Sequence, residues 1–241
     1  MKTYNIEAFV LKNNNYSDAD KLFTLFTKDF GKIVASAKGI RKISSKRRGS
    51  LDTLNLISVK IAENPQGYKS INEVKLINSH KNTKKTLKRT YAGYYISELI
   101  TRNFEENQAS KEMYNLYSKT LTMLGNGNVP YQIPILYFEL HFLKYLGYGV
   151  NFVNCSKCGK KFDTEWNKCG FNFYMGGILC ENCGSGDAMV SSKTINILGK
   201  MLIGDFKFEI TKKELVEADY LMKSYIEEKL GEKYKSLSIL L

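Results

Sequence analysis

Histidine is almost missing: His80 and His141 are the only two in 241 residues. They stand about sixty residues apart in no metal or general-base motif, so they read as surface or packing residues and histidine-centred catalysis has nothing to build on. The chain also lacks a Gly-x-x-x-x-Gly-Lys-Ser/Thr phosphate loop, a His-x-Glu deaminase signature and a Gly-x-Ser-x-Gly elbow, and no enzymatic reading emerges. Three prolines and no low-complexity stretch leave a folded globular chain. No apolar run approaches the roughly 18 residues that a membrane span needs, and the start, Met1-Lys-Thr-Tyr-Asn-Ile-Glu, carries no leader pattern. The expected location is cytoplasmic, with no membrane partner. In a reducing compartment five cysteines are metal ligands or free thiols before they are disulfides.

Acid is missing where base is dense. Between Asp29 and Asp52 the chain carries Lys32, Lys38, Arg41, Lys42, Lys46, Arg47 and Arg48 and no Asp or Glu. Residues 1–90 hold 19 Lys or Arg against 7 Asp or Glu, whereas residues 91–241 hold 17 of each sign. The whole net charge of +12 therefore belongs to the first ninety residues. Such a patch is the electrostatic footprint of nucleic acid, because neutralising phosphates releases counterions; a solvated loop or a contact with anionic membrane is the plainer alternative. Six cations on one strand (Lys38, Arg41, Lys42, Lys46, Arg47, Arg48) imply a log affinity against log salt slope on the order of 4.

The length suggests about two domains. Five strands are predicted, at 4–11, 21–27, 32–37, 54–61 and 68–77, with polar turns at 13–20 and 64–67 and a tight reversal at Asp29-Phe-Gly31. Five strands in about 75 residues, with a long charged loop after the third, fit an oligonucleotide-binding (OB) barrel over residues 1–80; a small β barrel of another topology is the alternative. From about residue 83 the period turns helical. Leu87, Tyr91, Tyr94, Tyr95 and Leu99 share a face, as do Met113, Tyr117, Leu121 and Leu124, and this spacing makes the tyrosines core residues rather than base-stacking ones. Gly125-Asn-Gly-Asn128 ends the second helix. Pro134 suits the first turn of a third, which buries Tyr137, Leu140, Phe142, Leu143 and Leu146 and stops at Gly147. A short helix over 195–202 and a capping box, Thr211-Lys-Lys-Glu214, ahead of Leu215, Ala218, Met222, Tyr225 and Ile226 complete a helical domain over 81–241. The fold class is α+β in two parts.

Inserted in the helical part, at 153–188, are two Cys-x-x-Cys knuckles, Cys155/Cys158 and Cys180/Cys183, with 21 residues between them. Four thiolates close a tetrahedral Zn²⁺ sphere with no open position, which is the pattern of a structural site. Gly159 and Gly184 directly follow the second cysteine of each pair, where the chain must turn and bring its N–H groups toward sulfur. A thioredoxin-like redox pair is the rival for either knuckle alone. Cys169 reads as a spare buried thiol.

Ala8-Phe-Val-Leu-Lys12, Tyr16-Ser-Asp-Ala-Asp-Lys21, Leu25-Phe-Thr-Lys-Asp-Phe-Gly-Lys32 and Ala37-Lys-Gly-Ile-Arg-Lys42 with Lys46-Arg-Arg-Gly49 resemble the N-terminal part of the RecO family of bacterial recombination mediators. The order of barrel, helices and knuckles fits along the full length. The resemblance implies a protein that binds single- and double-stranded DNA and anneals strands coated with single-strand-binding protein. It also implies that with RecR the protein promotes RecA loading, and that it is not an enzyme. A surface for the acidic tail of single-strand-binding protein would need cations such as Lys200, Lys207, Lys212 and Lys213. Two other classes are open on the residues alone: an RNA-binding or ribosome-associated module, and a nuclease using Asp18, Asp20 and Asp29.

Overall fold

The computed structural model describes residues 1–42, 45, 47–231, 233, 234 and 236. Strands β1 (Lys2–Asn15), β2 (Lys21–Thr27), β3 (Gly31–Ala37), β4 (Leu56–Glu63) and β5 (Lys69–Asn78) close a barrel in the order β1-β2-β3-β5-β4. One long strand serves two neighbours: Lys2 to Phe9 pair with β4, and Ala8 to Asn15 pair with β2 across an irregularity between Val10 and Lys12. The seam between β3 and β5 is a single parallel pairing, Ser36 with Ser70. Alternation turns Val10, Phe23, Leu25, Ile33, Ala35, Ile57, Val59, Ile61 and Ile71 into the interior. Ile40 and Leu51, from the β3–β4 connection, complete that core, so apolar anchors hold both ends of the basic loop.

The first strand runs further than the sequence reading allowed. Asn13, Asn14 and Asn15 pair with Phe23, Leu22 and Lys21, and the turn shrinks to residues 16–20. Their polar side chains suit the water-facing mouth of the barrel, which a hydrophobicity pattern does not register. The fourth strand starts at Leu56 rather than Leu54, because Leu54 is buried with a left-handed backbone, φ 70.

Phe9 and Phe26 face outward from the barrel yet are fully buried. Helices α1 (Leu87–Asn103) and α2 (Lys111–Leu124) begin at the N-caps Thr86 and Ser110. The rings of Tyr114 and Tyr117 lie 5.1 and 5.0 Å from Phe9. Tyr95 and Tyr117 are core residues, as their spacing predicts, and Tyr117 Oη donates to Ser97 Oγ, whose own proton goes to Gly93 O. Leu87, placed on the same apolar face by its spacing, is instead exposed, since it opens the helix ahead of the packed turns. This packing puts residues 1–129 and the segment beginning at Tyr234 in one compact unit, with 130–233 as the other. The division by contact falls at Val129/Pro130, inside the helical part expected over 81–241.

The second unit contains α3 (Gln132–Tyr145), β6 (Lys168–Asn172), β7 (Gly177–Leu179), β8 (Ala188–Ser191), α4 (Ser192–Leu202) and α5 (Lys212–Leu230). Helix α3 is apolar nearly all round and buried on most faces, with Leu146 only half-buried beyond its end. Thr211 and Glu214 form the expected capping box. The cysteine region holds a three-stranded sheet, β7-β6-β8, which the sequence reading did not contain.

Gly31 begins β3 with φ +64, and a Cβ there would lie 2.1 Å from the Gln108 carbonyl oxygen. Gly31→Ala is expected to cost at least about 2 kcal/mol, from left-handed strain plus a clash with backbone. Gly127→Ala, at a site with nothing within 4 Å, is the control. Urea unfolding midpoints compare the two; equal midpoints would contradict the packing described.

Candidate nucleic-acid interface and metal centre

The loop from Lys38 to Asn55 leaves β3 at one mouth of the barrel and returns to β4. Its first turn is tied to the β1–β2 turn: Gly39 N–H donates to Asp20 Oδ1 (2.8 Å), Arg41 N–H to Ala19 O (3.0 Å) and an Arg41 guanidinium N–H to Ser17 O (2.9 Å). Lys38, Arg41, Lys42 and Arg48 are exposed, whereas Arg47 is half-buried. Arg47 donates to the carbonyls of Ile71 (2.8 Å), Asn72 (3.3 Å) and Lys38 (2.6 Å). Lys46 lies outside the described residues. Lys32 sits at the far end of β3, about 20 Å from Lys38 along the strand, and its amine caps α1 through Thr101 O at 2.7 Å.

A groove of about 630 Å³ is lined by Asn13, Asn15, Lys21, Arg41, Arg48 and Asp52 among others, with the buried Phe23, Ile40 and Leu51 at its base. Asp52 is paired with Lys84 at 2.7 Å, so the acid at the loop's end is offset. Sequence reasoning left Lys21 and the asparagines out of the site, because their place at the mouth follows from the length of β1. It also gave no separate role to Tyr16 and Tyr68, which are 67% and 76% exposed on the β1–β2 and β4–β5 turns. An aromatic residue inside a polar turn is the signal that finds them.

Asp18 and Asp20 lie on the β1–β2 turn and Asp29 on the β2–β3 turn, at opposite ends of β2, so the three carboxylates do not converge on an ion. His80 packs 5.9 Å from the Phe9 ring, and burial, followed by the nearby Lys84 charge, lowers its pKa. His141 packs against Tyr137, their rings tilted and 4.3 Å apart.

In the second unit the Sγ atoms of Cys155, Cys158, Cys180 and Cys183 all lie within 4.8 Å of one another. Cys158 and Cys180 are 3.6 Å apart, close to the roughly 3.8 Å edge of a tetrahedron with Zn–S bonds of about 2.3 Å. Gly159 and Gly184 take φ of 76° and 108°, and Cys180 N–H donates to Cys155 Sγ at 3.3 Å. Burial opposes ionisation of Cys155, but N–H groups at Cys180, Cys158 and Lys157 outweigh it and bring the thiol down to about 6. Hydrogen bonds with Cys158 and Cys180 push Cys183 up to about 12; four crowded sulfurs cannot all ionise without a cation between them. Cys169 stands apart on β6, fully buried, and burial followed by the charge of Glu181 pushes it up to about 11. The donor set is four sulfurs with paired N–H support, which suits a metal.

Residues 1–80 match the family described as recombination protein O N terminal, and residues 84–238 match recombination protein O C terminal. The chain belongs to the RecO family. A relative from Thermoanaerobacter sp. (strain X514), named DNA repair protein RecO, is 32% identical over 98% of this chain and 96% of its own length. Relatives of the same name from Caldanaerobacter subterraneus subsp. tengcongensis and Clostridium novyi are 31% and 30% identical over 98% and 99% of the chain, covering 96% and 94% of themselves. Within this RecO chain the two matched segments meet just after β5, inside the first compact unit. No described helix is long and apolar enough to cross a membrane.

Proposed function

We propose that this protein is a DNA repair and recombination mediator that binds single- and double-stranded DNA, anneals strands coated with single-strand-binding protein and, with RecR, promotes loading of RecA. The observation that carries the reading is the cluster of exposed, acid-free cations, Lys38, Arg41, Lys42 and Arg48, on a loop seated in a closed five-stranded barrel. We read the barrel as an OB fold. Such barrels bind oligonucleotides through strands 2–3 and the first and fourth hairpin loops, and here those two loops carry the exposed Tyr16 and Tyr68. Phosphate contact without base-edge readout suits a protein that must act on any sequence. The full proposed contact set is Lys38, Arg41, Lys42, Lys46 and Arg48, with Lys32 and Arg47 nearby in the chain.

Cys155, Cys158, Cys180 and Cys183 would hold Zn²⁺, which contributes structure and no chemistry because four sulfurs leave no water position. The exposed Ile203, Phe206, Val216 and Tyr220, in the same stretch of chain as Lys200, Lys207, Lys212 and Lys213, offer apolar and cationic groups for the tail of single-strand-binding protein. The reading places the protein in the cytoplasm at sites of damaged DNA, acting by binding and annealing rather than by catalysis.

Binding of a fluorescent single strand across a salt series tests the central point. The five proposed contacts imply that log affinity falls against log salt with a slope of about 3.5, and complementary coated strands should anneal faster with the protein than without it. A slope near zero, or equal binding to RNA with no acceleration of annealing, would overturn the reading.

A further inference from the structure

We propose that Asp20 and Arg47 are positioning residues that fix the shape of the basic loop and contact no phosphate themselves. The inference rests on the polyanion-binding reading above and refines which of the charged residues do the binding. Lys38, Lys42 and Arg48 make no side-chain hydrogen bond or ion pair among the described residues, and each is exposed. A cluster of like charges on a loop spreads apart unless something holds it in place.

At the entry, Asp20 is that hold. Its Oδ1 accepts the Gly39 N–H at 2.8 Å, its own carbonyl closes the β1–β2 turn by accepting from Tyr16 N–H at 3.1 Å, and Gly39 turns the chain with φ +66. The next tie, Arg41 N–H to Ala19 O, continues the same lacing, so the β1–β2 turn and the start of the loop move as one piece. Midway along the loop, Arg47 spreads its planar guanidinium over three carbonyls, two on β5 and one on Lys38 where the loop begins. Three of its five N–H groups are thereby committed to backbone, and the barrel seam beside it is a single pairing, Ser36 with Ser70. Arg47 therefore staples the loop to the fifth strand and to its own first residue.

Charge and geometry make opposite forecasts for Asp20, which is what makes the proposal testable. On charge alone, deleting an acid beside a phosphate site tightens binding. On geometry, deleting the Gly39 acceptor loosens the loop and weakens binding, while an amide at the same place keeps the acceptor and drops the charge.

The experiment measures fluorescence anisotropy of a labelled oligothymidine with the full chain and its variants over a salt series, after thermal melts establish that each variant is folded. Asp20→Ala is expected to bind about fivefold more weakly than wild type, the scale of one lost hydrogen bond, and Asp20→Asn to bind at least as tightly as wild type. Arg47→Ala and Arg47→Lys are both expected to bind about fivefold or more weakly with the salt slope kept, because lysine preserves charge but not the fork; Arg48→Ala is expected to lower the slope by about 0.7. Hydrogen exchange supplies a readout independent of DNA: the Gly39 and Arg41 amides should exchange faster in Asp20→Ala and as in wild type in Asp20→Asn. Asp20→Ala binding as tightly as wild type, or Arg47→Ala losing slope while Arg47→Lys matches wild type, would overturn the proposal with the binding reading intact. A wild-type slope near zero would instead bring down the binding reading and this proposal together.

Discussion

Stripping the metal with a strong chelator, or replacing Cys155 and Cys180 by serine, is expected to lower the melting temperature by on the order of 10 °C or more and to abolish the near-ultraviolet signal of the cysteine module. Structural zinc in isolated finger peptides contributes roughly 10–16 kcal/mol of apparent folding free energy. Even a third of that, at roughly 2–4 °C per kcal/mol for a chain of this size, gives a shift of that order. The module's own secondary structure is slight. Its strands β6, β7 and β8 span five, three and four residues, and β6 leans directly on the second knuckle, where a Cβ at Gly170 would lie 2.5 Å from Gly184 O. Cys169 and Phe171 on β6 are both fully buried, and Phe171 packs on Phe152, Phe173 and Tyr225. Metal analysis of purified protein should give one zinc per chain, and Cys169→Ala should leave that content unchanged. An apo protein that melts with the holo protein, or loss of zinc in Cys169→Ala, would remove the structural assignment.

Changing Lys38, Arg41, Lys42 and Arg48 together to alanine is expected to weaken single-strand binding on the order of a few thousandfold at 50 mM salt and to abolish the acceleration of annealing. Each phosphate contact on a single strand contributes roughly 0.7 to the slope of log affinity against log salt, which near 50 mM amounts to somewhat less than tenfold per contact. The four side chains are exposed, so the change removes charge and leaves the core alone. Stability should hold or rise slightly as mutual repulsion is relieved. The two curves should converge at high salt, where counterion release no longer favours binding. A variant that still anneals coated strands at the wild-type rate would move the active surface off this loop.

The barrel was legible where burial alternates and illegible where it does not. β2 came out with its ends and β3 to within one residue because Phe23, Leu25, Ile33 and Ala35 point inward in turn, whereas Asn13 to Asn15 pair as strand with nothing apolar to announce it. The cysteine quartet was fully legible, since two matched knuckles carry their own geometry. The small three-stranded sheet beside them was not, because its short strands are ordered by one another and by what packs on them rather than by local propensity. The basic run announced a polyanion, but sequence treats all seven cations alike. What separates Arg48, exposed, from its neighbour Arg47, spread over three carbonyls, and from Lys32, capping a helix, is where the backbone carbonyls of β5 and α1 happen to lie. The division into compact units was invisible for the same reason. The period changes near residue 83, but the outward-facing Phe9 and Phe26 must be covered, and the tyrosines of α2 cover them.

The path of the chain through the first unit sets a clock on its synthesis. Tyr234 is buried beside Tyr95, with its hydroxyl accepting from Asn103 Nδ2 at 3.1 Å, and Ser236 N–H donates to Glu98 at 3.0 Å. All of these partners on α1 are synthesised before residues 130–233. At about 5–20 residues per second, that intervening stretch takes roughly 5–20 s to translate, and for that interval the α1 surface around Tyr95 and Glu98 is synthesised but uncovered. The nascent protein therefore passes through an obligatory waiting state, with an apolar site open to holdases, that refolding of the full-length chain from denaturant does not impose.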